Sequence, residues 1–192
     1  IPDFEKVDNF LLFSPAQCLI KRSSLKLDRN VKRSGLIAVR LNEGDRLVGV
    51  TWTSGHDHLL LGTRNGMAIR FREDDARPMG RSAAGVRGID LRDGDEVGGR
   101  VQSPVSDEDA GGRAQPLHPE TDLLTVTEHG YGKRTDLSEY LVQSEEDGEI
   151  KARPQSRGGK GRIDIRTTER NGAVVAVMAV NNDEDVMFVS EG

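Results

Sequence analysis

Cysteine, aromatic residues and long apolar runs are all scarce in this sequence. Cys18 is the only cysteine, and aromatic residues make up 4% of the 192 positions. A single cysteine excludes an internal disulfide bond, and we expect its side chain to be a small buried apolar group. Apolar stretches such as Val174–Val180 are far too short to cross a membrane, and no basic-then-apolar signal segment opens the chain. We therefore expect a soluble, cytoplasmic protein.

Helical periodicity is also missing. No long segment repeats its apolar residues at helical spacing, whereas several segments alternate apolar and polar residues. Hydrophobic residues make up only 35% of the chain and there are 22 glycines, so few apolar side chains are available to form a core. Thin β-layers suit such a composition better than a thick helical core. The sequence predicts an all-β fold in which helices are short or absent.

Three similar strings each read as a strand, a polar turn and a second strand. They are FLLFSPAQCLIKR at 10–22, LLLGTRNGMAIRF at 59–71 and LLTVTEHGYGKRT at 123–135. In the second and third strings, Asn65-Gly66 and His129-Gly130 supply the pairs that a tight hairpin favours, since glycine reaches positive φ without steric cost. The first string has Gln17 instead and is a weaker hairpin signal.

Each string is followed by two shorter strand signals. Third strands are predicted by a glycine and a period-two alternation at 34–41, 84–91 and 160–167, and fourth strands by apolar runs at 44–50, 94–100 and 172–177. Four strands in roughly 45 to 65 residues is the period typical of propeller blades. The prediction is a partial ring, with blade-like repeats at about 10–55, 59–104 and 123–182, a truncated repeat at 186–192, and exposed loop inserts at 102–122 and 145–154.

Basic residues recur at matching places in the repeats although the formal net charge is −5. A basic residue or pair ends each second strand, and further bases lie beside glycines in the loops that follow. Equivalent positions of a ring lie around one rim, where Lys and Arg can follow a duplex backbone without reading its sequence. The alternative interpretation is strand-edge charge that prevents aggregation. The predicted DNA-binding residues are Lys21, Arg22, Lys32, Arg33, Arg70, Arg72, Arg77, Arg81, Arg87, Lys133, Arg134, Arg157, Lys160 and Arg162.

Several residue patterns resemble metal, phosphate-binding or catalytic sites but lack the partners or the sequence context that such sites need. His56 and His58 alternate as two metal ligands could, but no cysteine or third histidine accompanies them. The run Gly158–Gly161 resembles a phosphate-binding loop, yet no Ser or Thr follows Lys160 and the flanks predict strands. Ser, His and acidic residues occur outside any triad or nucleophile-elbow context. We expect no catalytic residue and no metal site in this sequence.

Four longer strings make the sequence resemble a known family. They are FREDDARPMGRSAAGVRGIDL at 71–91, LLTVTEHGYGKRTDLSEY at 123–140, RGGKGRIDI at 157–165 and TTERNGAVVAVMAV at 167–180. They resemble the C-terminal domain of the bacterial DNA gyrase A subunit, part of a type IIA DNA topoisomerase, over nearly the whole chain. The resemblance implies a β-pinwheel, which is a propeller-like ring of four-stranded blades with strand exchange between neighbours.

The resemblance also implies a function. The perimeter of such a ring binds and wraps duplex DNA, so that the ATP-dependent topoisomerase introduces negative supercoils. The implied partners are double-stranded DNA, the gyrase B subunit, plus a second A subunit in an A2B2 complex associated with the bacterial nucleoid. No cofactor is expected in this chain, because ATP and Mg²⁺ would be used by other parts of that complex.

Two features depart from the family pattern. The family's box motif QRRGGKG belongs to the first blade, whereas residues 155–161 read QSRGGKG in a later repeat, which indicates an internal cousin of the box. The acidic inserts have no counterpart in the pattern, and we expect them to repel DNA and tune wrapping. Two alternative functions stay open: the C-terminal domain of the related topoisomerase IV subunit, and a non-catalytic propeller-like protein-interaction module.

Overall fold

The computed structural model describes residues 9–28, 34–103, 121–146, 148–183 and 185–189. Within these ranges the chain forms β-strands joined by turns and three short 3₁₀ helices, at Leu25–Asp28, Glu73–Asp75 and Leu137–Tyr140, so the all-β prediction is confirmed. The strands are β1 (Phe10–Pro15), β2 (Leu19–Ser24), β3 (Leu47–Thr53), β4 (His58–Thr63), β5 (Met67–Arg72), β6 (Val86–Arg87), β7 (Val97–Ser103), β8 (Asp122–Thr127), β9 (Gly132–Asp136), β10 (Val142–Glu146), β11 (Glu149–Arg153), β12 (Arg162–Ile163) and β13 (Val174–Val180).

The three predicted hairpins are present as β1–β2, β4–β5 and β8–β9, all antiparallel. Each turn has a residue in the left-handed conformation at the same place. This residue is Gly66 with φ 80° in the second hairpin and Gly130 with φ 78° in the third. Cys18 holds the same place in the first hairpin with φ 74°, although a side chain makes that conformation costly. As expected, the Cys18 side chain is buried, and its Sγ lies 2.9 Å from both the backbone nitrogen and the carbonyl oxygen of Ile89.

Outer strands are exchanged between neighbouring repeats. The sheets have the strand orders β3-β1-β2-β6, β12-β5-β4-β7 and β13-β8-β9, with β10-β11 as a separate hairpin. Strand β6 follows the second hairpin along the chain but pairs with β2 of the first, and β12 follows the third but pairs with β5 of the second. The expected β-pinwheel, with strand exchange between blades, is confirmed by this pairing.

The fourth strand of each sheet lies on the inner side of the ring. Strand β7 packs against both β3 and β13, whereas the main contacts of β6 and β12 are with β2 and β5. Backbone hydrogen bonds join the sheets here, from Val97 N to Ala16 O over 2.9 Å and from Val174 N to Arg64 O over 2.8 Å. Strands β6 and β12 consequently lie on the perimeter.

Two apolar layers fill the spaces between successive sheets. Side chains alternate across a strand, so β4 can contribute to both layers. Leu59 and Leu61 pack with Leu12, Ile20 and other residues toward the first sheet, while Leu60 packs with Leu123 and Tyr140 toward the third. All six residues of β4 are buried as a result. Each fully buried leucine contributes about 2 to 3 kcal/mol relative to an exposed one.

An ion-pair ladder crosses the three sheets along their turns. Glu96 Oε1 accepts hydrogen bonds from Arg46 Nη2 over 2.9 Å and from Arg64 Nη1 over 3.2 Å. Arg64 Nη2 continues the ladder to Glu128 Oε1 over 3.0 Å. Partial burial raises the pKa of Glu96, but the hydrogen bonds from Arg64 and Arg46 outweigh it and hold that pKa below the ordinary glutamate value.

Three predictions about local structure differ from what is observed. Residues 34–41 form no strand, because third strands pair with the preceding sheet and the described residues hold none before the first. The insert at 145–154, predicted to be an exposed loop, carries most of the hairpin β10–β11. In the truncated repeat predicted at 186–192, the described residues 186–189 form no strand. Most of the 102–122 insert lies outside the described residues, and the predicted repeat boundaries stay predictions.

Candidate nucleic-acid interface

Exposed basic side chains lie along the outer edges of all three sheets. Arg87 belongs to β6 and Arg162 to β12, while Lys133 and Arg134 belong to β9, the outermost described strand of the third sheet. Three further exposed bases lie at the end of β5 or in the segments that lead to the outer strands, namely Arg72, Arg77 and Lys160. The residues of this perimeter track are Arg72, Arg77, Arg87, Lys133, Arg134, Lys160 and Arg162.

Some members of the perimeter track have weak partners. Arg87 Nη1 lies 3.1 Å from Asp90 Oδ1, yet 65% of the Arg87 side chain stays exposed. Arg134 bonds to Asp122 and donates to Asn182 Oδ1 over 2.7 Å, with 42% of its side chain exposed. Exposed ion pairs of this kind contribute about 0 to 1 kcal/mol, so a phosphate can compete for these arginines.

Other members of the perimeter track have no partner within the described residues. The side chains of Arg72, Arg77 and Lys160 make neither a hydrogen bond nor an ion pair with that part of the protein. Their charges therefore face solvent, which is where a phosphate backbone would be met.

Lys133 is both exposed and anchored. Its Nζ donates to the carbonyl oxygen of Asp164 over 2.6 Å and lies 3.8 Å from Asp164 Oδ1, while 46% of the side chain is exposed. The ammonium group is thereby held at a fixed point on the outer face of β9.

Three predicted DNA-binding arginines donate to backbone carbonyls of other segments. Arg157 Nε donates to Asp75 O over 2.8 Å, and its Nη1 donates to Arg87 O over 3.2 Å. Arg162 donates to Glu139 O, and Arg81 donates to Leu27 O. These side chains connect successive repeats, and Arg157 in particular spans the second 3₁₀ helix and β6.

Lys21 and Arg22 lie inside the protein, unlike the perimeter track. Lys21 is 0% exposed, and its Nζ donates to Ala38 O over 2.8 Å and to Arg81 O over 2.9 Å. Arg22 is 6% exposed and lies 4.0 Å above the ring of Phe10. Their DNA-binding role stays a prediction, while their contacts define a structural role.

Glu73 is the buried partner of Arg22. Arg22 Nε lies 3.4 Å from Glu73 Oε1, and Thr53 donates its hydroxyl to the same oxygen. Glu73 Oε2 accepts from the backbone N–H of Gly55 over 2.9 Å and of Asp57 over 3.2 Å. Burial raises the pKa of Glu73, and the Thr53 hydrogen bond and the Arg22 charge act in the opposite direction. The network ties the second repeat to β2.

Arg70 is the equivalent of Arg22 in the second hairpin, since both lie opposite a leucine of the preceding strand. It is 8% exposed and donates through Nη1 to Leu137 O over 2.8 Å. Its Nε lies 3.2 Å from His58 Nδ1, which acts as the acceptor. Burial lowers the pKa of Arg70, and the charge of Asp136 opposes that change. Arg70 therefore joins the second and third repeats.

The QSRGGKG loop at 155–161 is packed against the outer edge of the first two sheets. Gln155 N donates to Arg70 O over 2.9 Å, and Gly158 N donates to Gly88 O over 2.6 Å. Gly161 has φ 70°, and a Cβ there would lie 2.4 Å from the carbonyl oxygen of Ala68. Glycine is required at this point because the loop approaches β5 so closely, and Lys160 is left at the surface.

Asp164 is a central site residue that the sequence did not identify. It directly follows β12, and its carboxylate accepts hydrogen bonds from Thr125 Oγ1 and Tyr140 OH, both over 2.5 Å. Burial and the Asp164 carboxylate raise the pKa of the Tyr140 phenol. No repeat signal could have found it, because the strand pairing places Gly88 at the equivalent position of the preceding repeat. Asp164 fixes the exchanged strand against the third sheet.

The remaining features are two predicted DNA-binding residues, metal-binding groups and membrane-spanning helices. Lys32 and Arg33 lie outside the described residues. Among the residues that are described, no group of three or more His, Cys, Asp and Glu side chains is placed to hold a metal ion. In the same part of the chain, no helix has the length and apolar character to span a membrane.

These observations define a class of protein, the β-pinwheel domains with a basic perimeter and exchanged outer strands. The family model described as DNA gyrase C-terminal domain, beta-propeller, matches residues 20–51, 57–97, 121–144 and 151–181. The chain belongs to this DNA gyrase C-terminal domain family.

The curated relatives are much longer than this chain. The DNA gyrase A subunit of Staphylococcus epidermidis is 40% identical to it over 190 residues, which is 99% of this chain and 19% of the relative. The DNA gyrase A subunit of Staphylococcus aureus strain MRSA252 gives the same identity and coverage. The chain thus spans about a fifth of the length of the curated relatives it matches.

Solved structures with the same fold include three C-terminal domains. A DNA gyrase A C-terminal domain aligns with a TM-score of 0.69 at 26% identity, covering 92% of this chain and 50% of that one. The C-terminal domain of a DNA topoisomerase IV aligns with a TM-score of 0.64 at 22% identity, covering 96% and 65%. The E. coli ParC C-terminal domain gives a TM-score of 0.61 at 14% identity, covering 92% and 64%. The last two indicate the fold alone.

Proposed function

We propose that this chain is the DNA-binding and DNA-wrapping part of a DNA gyrase A subunit. In this proposal, duplex DNA follows the outer edges of successive blades and bends around them. The protein would contact the DNA backbone and would have no preference for a base sequence.

The exposed bases of the perimeter track are the observation that supports this proposal. Arg87 lies on β6 and Arg162 on β12, which are the exchanged outer strands of successive repeats, and Lys133 lies on β9, the second strand of the third hairpin. Exposed charges along the outer edges of successive blades form a curved row, and a stiff polyanion that follows such a row must bend. Bending of a 20 to 30 bp site by 40 to 90° costs about 1 to 6 kcal/mol, which several phosphate contacts can offset.

Phosphate contacts also explain how a protein with a net charge of −5 can bind DNA. Each neutralised phosphate releases condensed counterions, and this gain depends on the local charges that touch the backbone. The net charge of the molecule acts mainly over longer distances and is screened within about 8 Å at physiological ionic strength. A basic perimeter is therefore compatible with acidic loops elsewhere.

The parent complex supplies the remaining chemistry in this proposal. The relatives are named as subunits of DNA gyrase, and we propose the same ATP-dependent type IIA topoisomerase for the protein that contains this domain. Its partners would be the gyrase B subunit, together with a second A subunit, in the bacterial cytoplasm. ATP hydrolysis, Mg²⁺ binding and DNA cleavage would occur in other parts of that complex.

A topoisomerase IV subunit is the second candidate function. The TM-scores of 0.69 and 0.64 for the gyrase and topoisomerase IV domains show a shared fold, and the fold by itself does not separate the two candidates. The two candidates differ in the number of blades and in the product, since only the gyrase function requires wrapping that drives negative supercoiling. A protein-interaction module would instead give no retardation of duplex DNA even at low salt.

The test of this proposal measures wrapping. Relaxed circular DNA is incubated with the full-length protein and relaxed again by a type I topoisomerase, after which the protein is removed and the topoisomers are separated. Wrapping predicts a shift in linking number that grows with the amount of protein until the circle is saturated. Binding without wrapping leaves the distribution unchanged, and that result would overturn the proposal.

A further inference from the structure

A basic cavity lies between the second sheet and the base of the β10–β11 hairpin. Its volume is about 300 Å³. The end of β5 contributes Arg72, and β11 contributes Lys151 and Arg153, while Asp75 is the acidic residue of the lining. The polar side chains of Gln155 and Ser156 complete its wall. Three cations against one carboxylate make this a cavity for an anion.

Strand geometry brings the two hairpin cations together. Lys151 and Arg153 are two positions apart on β11, and alternate residues of a strand share one face. Ser144 and Val142, their cross-strand partners, occupy the same face of β10. Two residues along a strand span about 6.6 Å, so the two charges can flank a single phosphate.

The hairpin is fixed at this place by the chain that leaves it. Gln155 N donates to Arg70 O over 2.9 Å, which pins the residue two positions after Arg153 to β5. Arg157 then donates to Asp75 O over 2.8 Å, next to the cavity wall. The cavity is therefore attached to the second sheet and includes Arg72 of the perimeter track in its lining.

Charge is divided between the two ends of the hairpin. The cations Lys151 and Arg153 are near its base, while Glu145 and Glu149 are near its tip and are exposed. An anionic ligand is attracted to the base and repelled from the tip. A polyanion that enters the cavity is thereby confined to the side of the hairpin that adjoins the perimeter track.

We propose that this cavity binds a backbone phosphate of duplex DNA and that the hairpin sets the lateral limit of the DNA path. The inference rests on the proposed function, since it extends the perimeter track by one further contact. The three cations are exposed, so the site can accept a phosphate that belongs to a long polymer. It gives the acidic insert a defined place in binding, where the sequence indicated repulsion alone.

The test compares three variants of the full-length protein on one linear duplex of mixed sequence across a range of salt concentrations. Lys151→Gln with Arg153→Gln removes the basic pair, and Glu145→Gln with Glu149→Gln removes the acidic tip. Ile150→Thr is the matched control, because Ile150 is 74% exposed on the same strand and carries no charge. Circular dichroism checks the fold of each, and the single Lys151→Gln change replaces the double variant if that one fails to fold.

Removal of one phosphate interaction should reduce the slope of log affinity against log salt by about 0.9 in the basic-pair variant. The tip variant should bind more tightly than the parent, and Ile150→Thr should match the parent. A parent that binds DNA normally, together with a basic-pair variant of unchanged slope, would overturn this inference and leave the proposed function intact. A parent that shows no salt-dependent binding would overturn the proposed function itself.

Discussion

The carbonyl oxygen of Gly66 accepts a hydrogen bond from the backbone N–H of Asp164 over 2.9 Å, which joins the turn of the second hairpin to the strand exchanged from the third. A Cβ at Gly66 would lie 2.0 Å from the carbonyl oxygen of Ile165. Gly130 holds the same turn position in the third hairpin, where a Cβ would have nothing within 4 Å. Position 66 therefore requires glycine both for its left-handed φ and for the close approach of the exchanged strand, whereas position 130 requires it for the left-handed φ alone.

Gly66→Ala and Gly130→Ala should therefore differ in stability. Both variants force a side chain into a left-handed conformation, which costs about 1 to 2 kcal/mol. Gly66→Ala adds a collision with backbone that costs about 1 to 3 kcal/mol more. Urea unfolding of the two variants measures the difference, and equal losses would contradict the close approach of the exchanged strand.

Glu96 should stabilise the ion-pair ladder in a manner that depends on pH and salt. Glu96→Gln should lower the free energy of unfolding by about 0.5 to 1 kcal/mol at neutral pH and low salt. The pKa of Glu96 is lower in the folded protein than the unfolded value of about 4.3. Its stabilisation is consequently present above the unfolded pKa and is lost as the pH falls through the folded pKa.

The measurement for Glu96 is the stability difference between parent and Glu96→Gln at several pH values. The difference should shrink as the pH drops below about 4 and should also shrink in high salt. Glu169→Gln is a suitable control, since Glu169 is exposed and makes no ion pair with the described residues. A difference that does not change with pH would count against the ladder.

Tyr140 should resist ionisation while the protein is folded. Its hydroxyl donates to Asp164 over 2.5 Å, and burial together with that carboxylate raises the phenol pKa. The unfolded chain ionises Tyr140 near pH 10, so this residue lowers the stability as the pH rises above that value.

Absorbance titration in a Tyr131→Phe background isolates Tyr140, because the chain has two tyrosines. Phenolate should appear only when circular dichroism reports unfolding. Tyr140→Phe should cost about 1 to 2 kcal/mol at neutral pH, since Asp164 loses a donor. Reversible ionisation near pH 10 without loss of structure would show that the contact with Asp164 is absent.

The buried and exposed arginines should respond differently to substitution. Arg22→Met leaves Glu73 buried without its partner and should cost about 3 to 5 kcal/mol. Arg77→Met changes an exposed side chain and should alter stability by no more than about 0.5 kcal/mol. Chemical unfolding of both variants provides the comparison, and a small effect of Arg22→Met would remove the structural role given to that residue.

Much of the fold followed from local signals in the sequence. Asn65-Gly66 and His129-Gly130 predicted two turns because only small residues reach positive φ easily. Cys18 holds the corresponding position of the first hairpin and carried no signal, since a residue with a side chain does not favour positive φ. The β10–β11 hairpin was missed because its acidic composition is typical of loops.

The candidate site was harder to predict than the fold. Repetition placed basic residues at equivalent positions, but charge patterns cannot distinguish Arg22, which is buried on Glu73, from Arg87, which is exposed. The distinction depends on the exchanged segments that cover β2 and β5. Contacts between distant segments, rather than local preference, decide which bases face solvent.

The most direct measurement of the central claim is the salt dependence of duplex binding by a variant with Arg77, Arg87 and Lys160 each changed to Gln. Arg92→Gln serves as the control, because Arg92 is an exposed base on the loop before the inner strand β7. If the basic perimeter binds DNA, the triple variant should bind every duplex sequence more weakly and its salt slope should be smaller by about 0.9 for each phosphate that is no longer neutralised, with no change in the control. An unchanged slope in the triple variant would contradict the claim that the basic perimeter binds DNA.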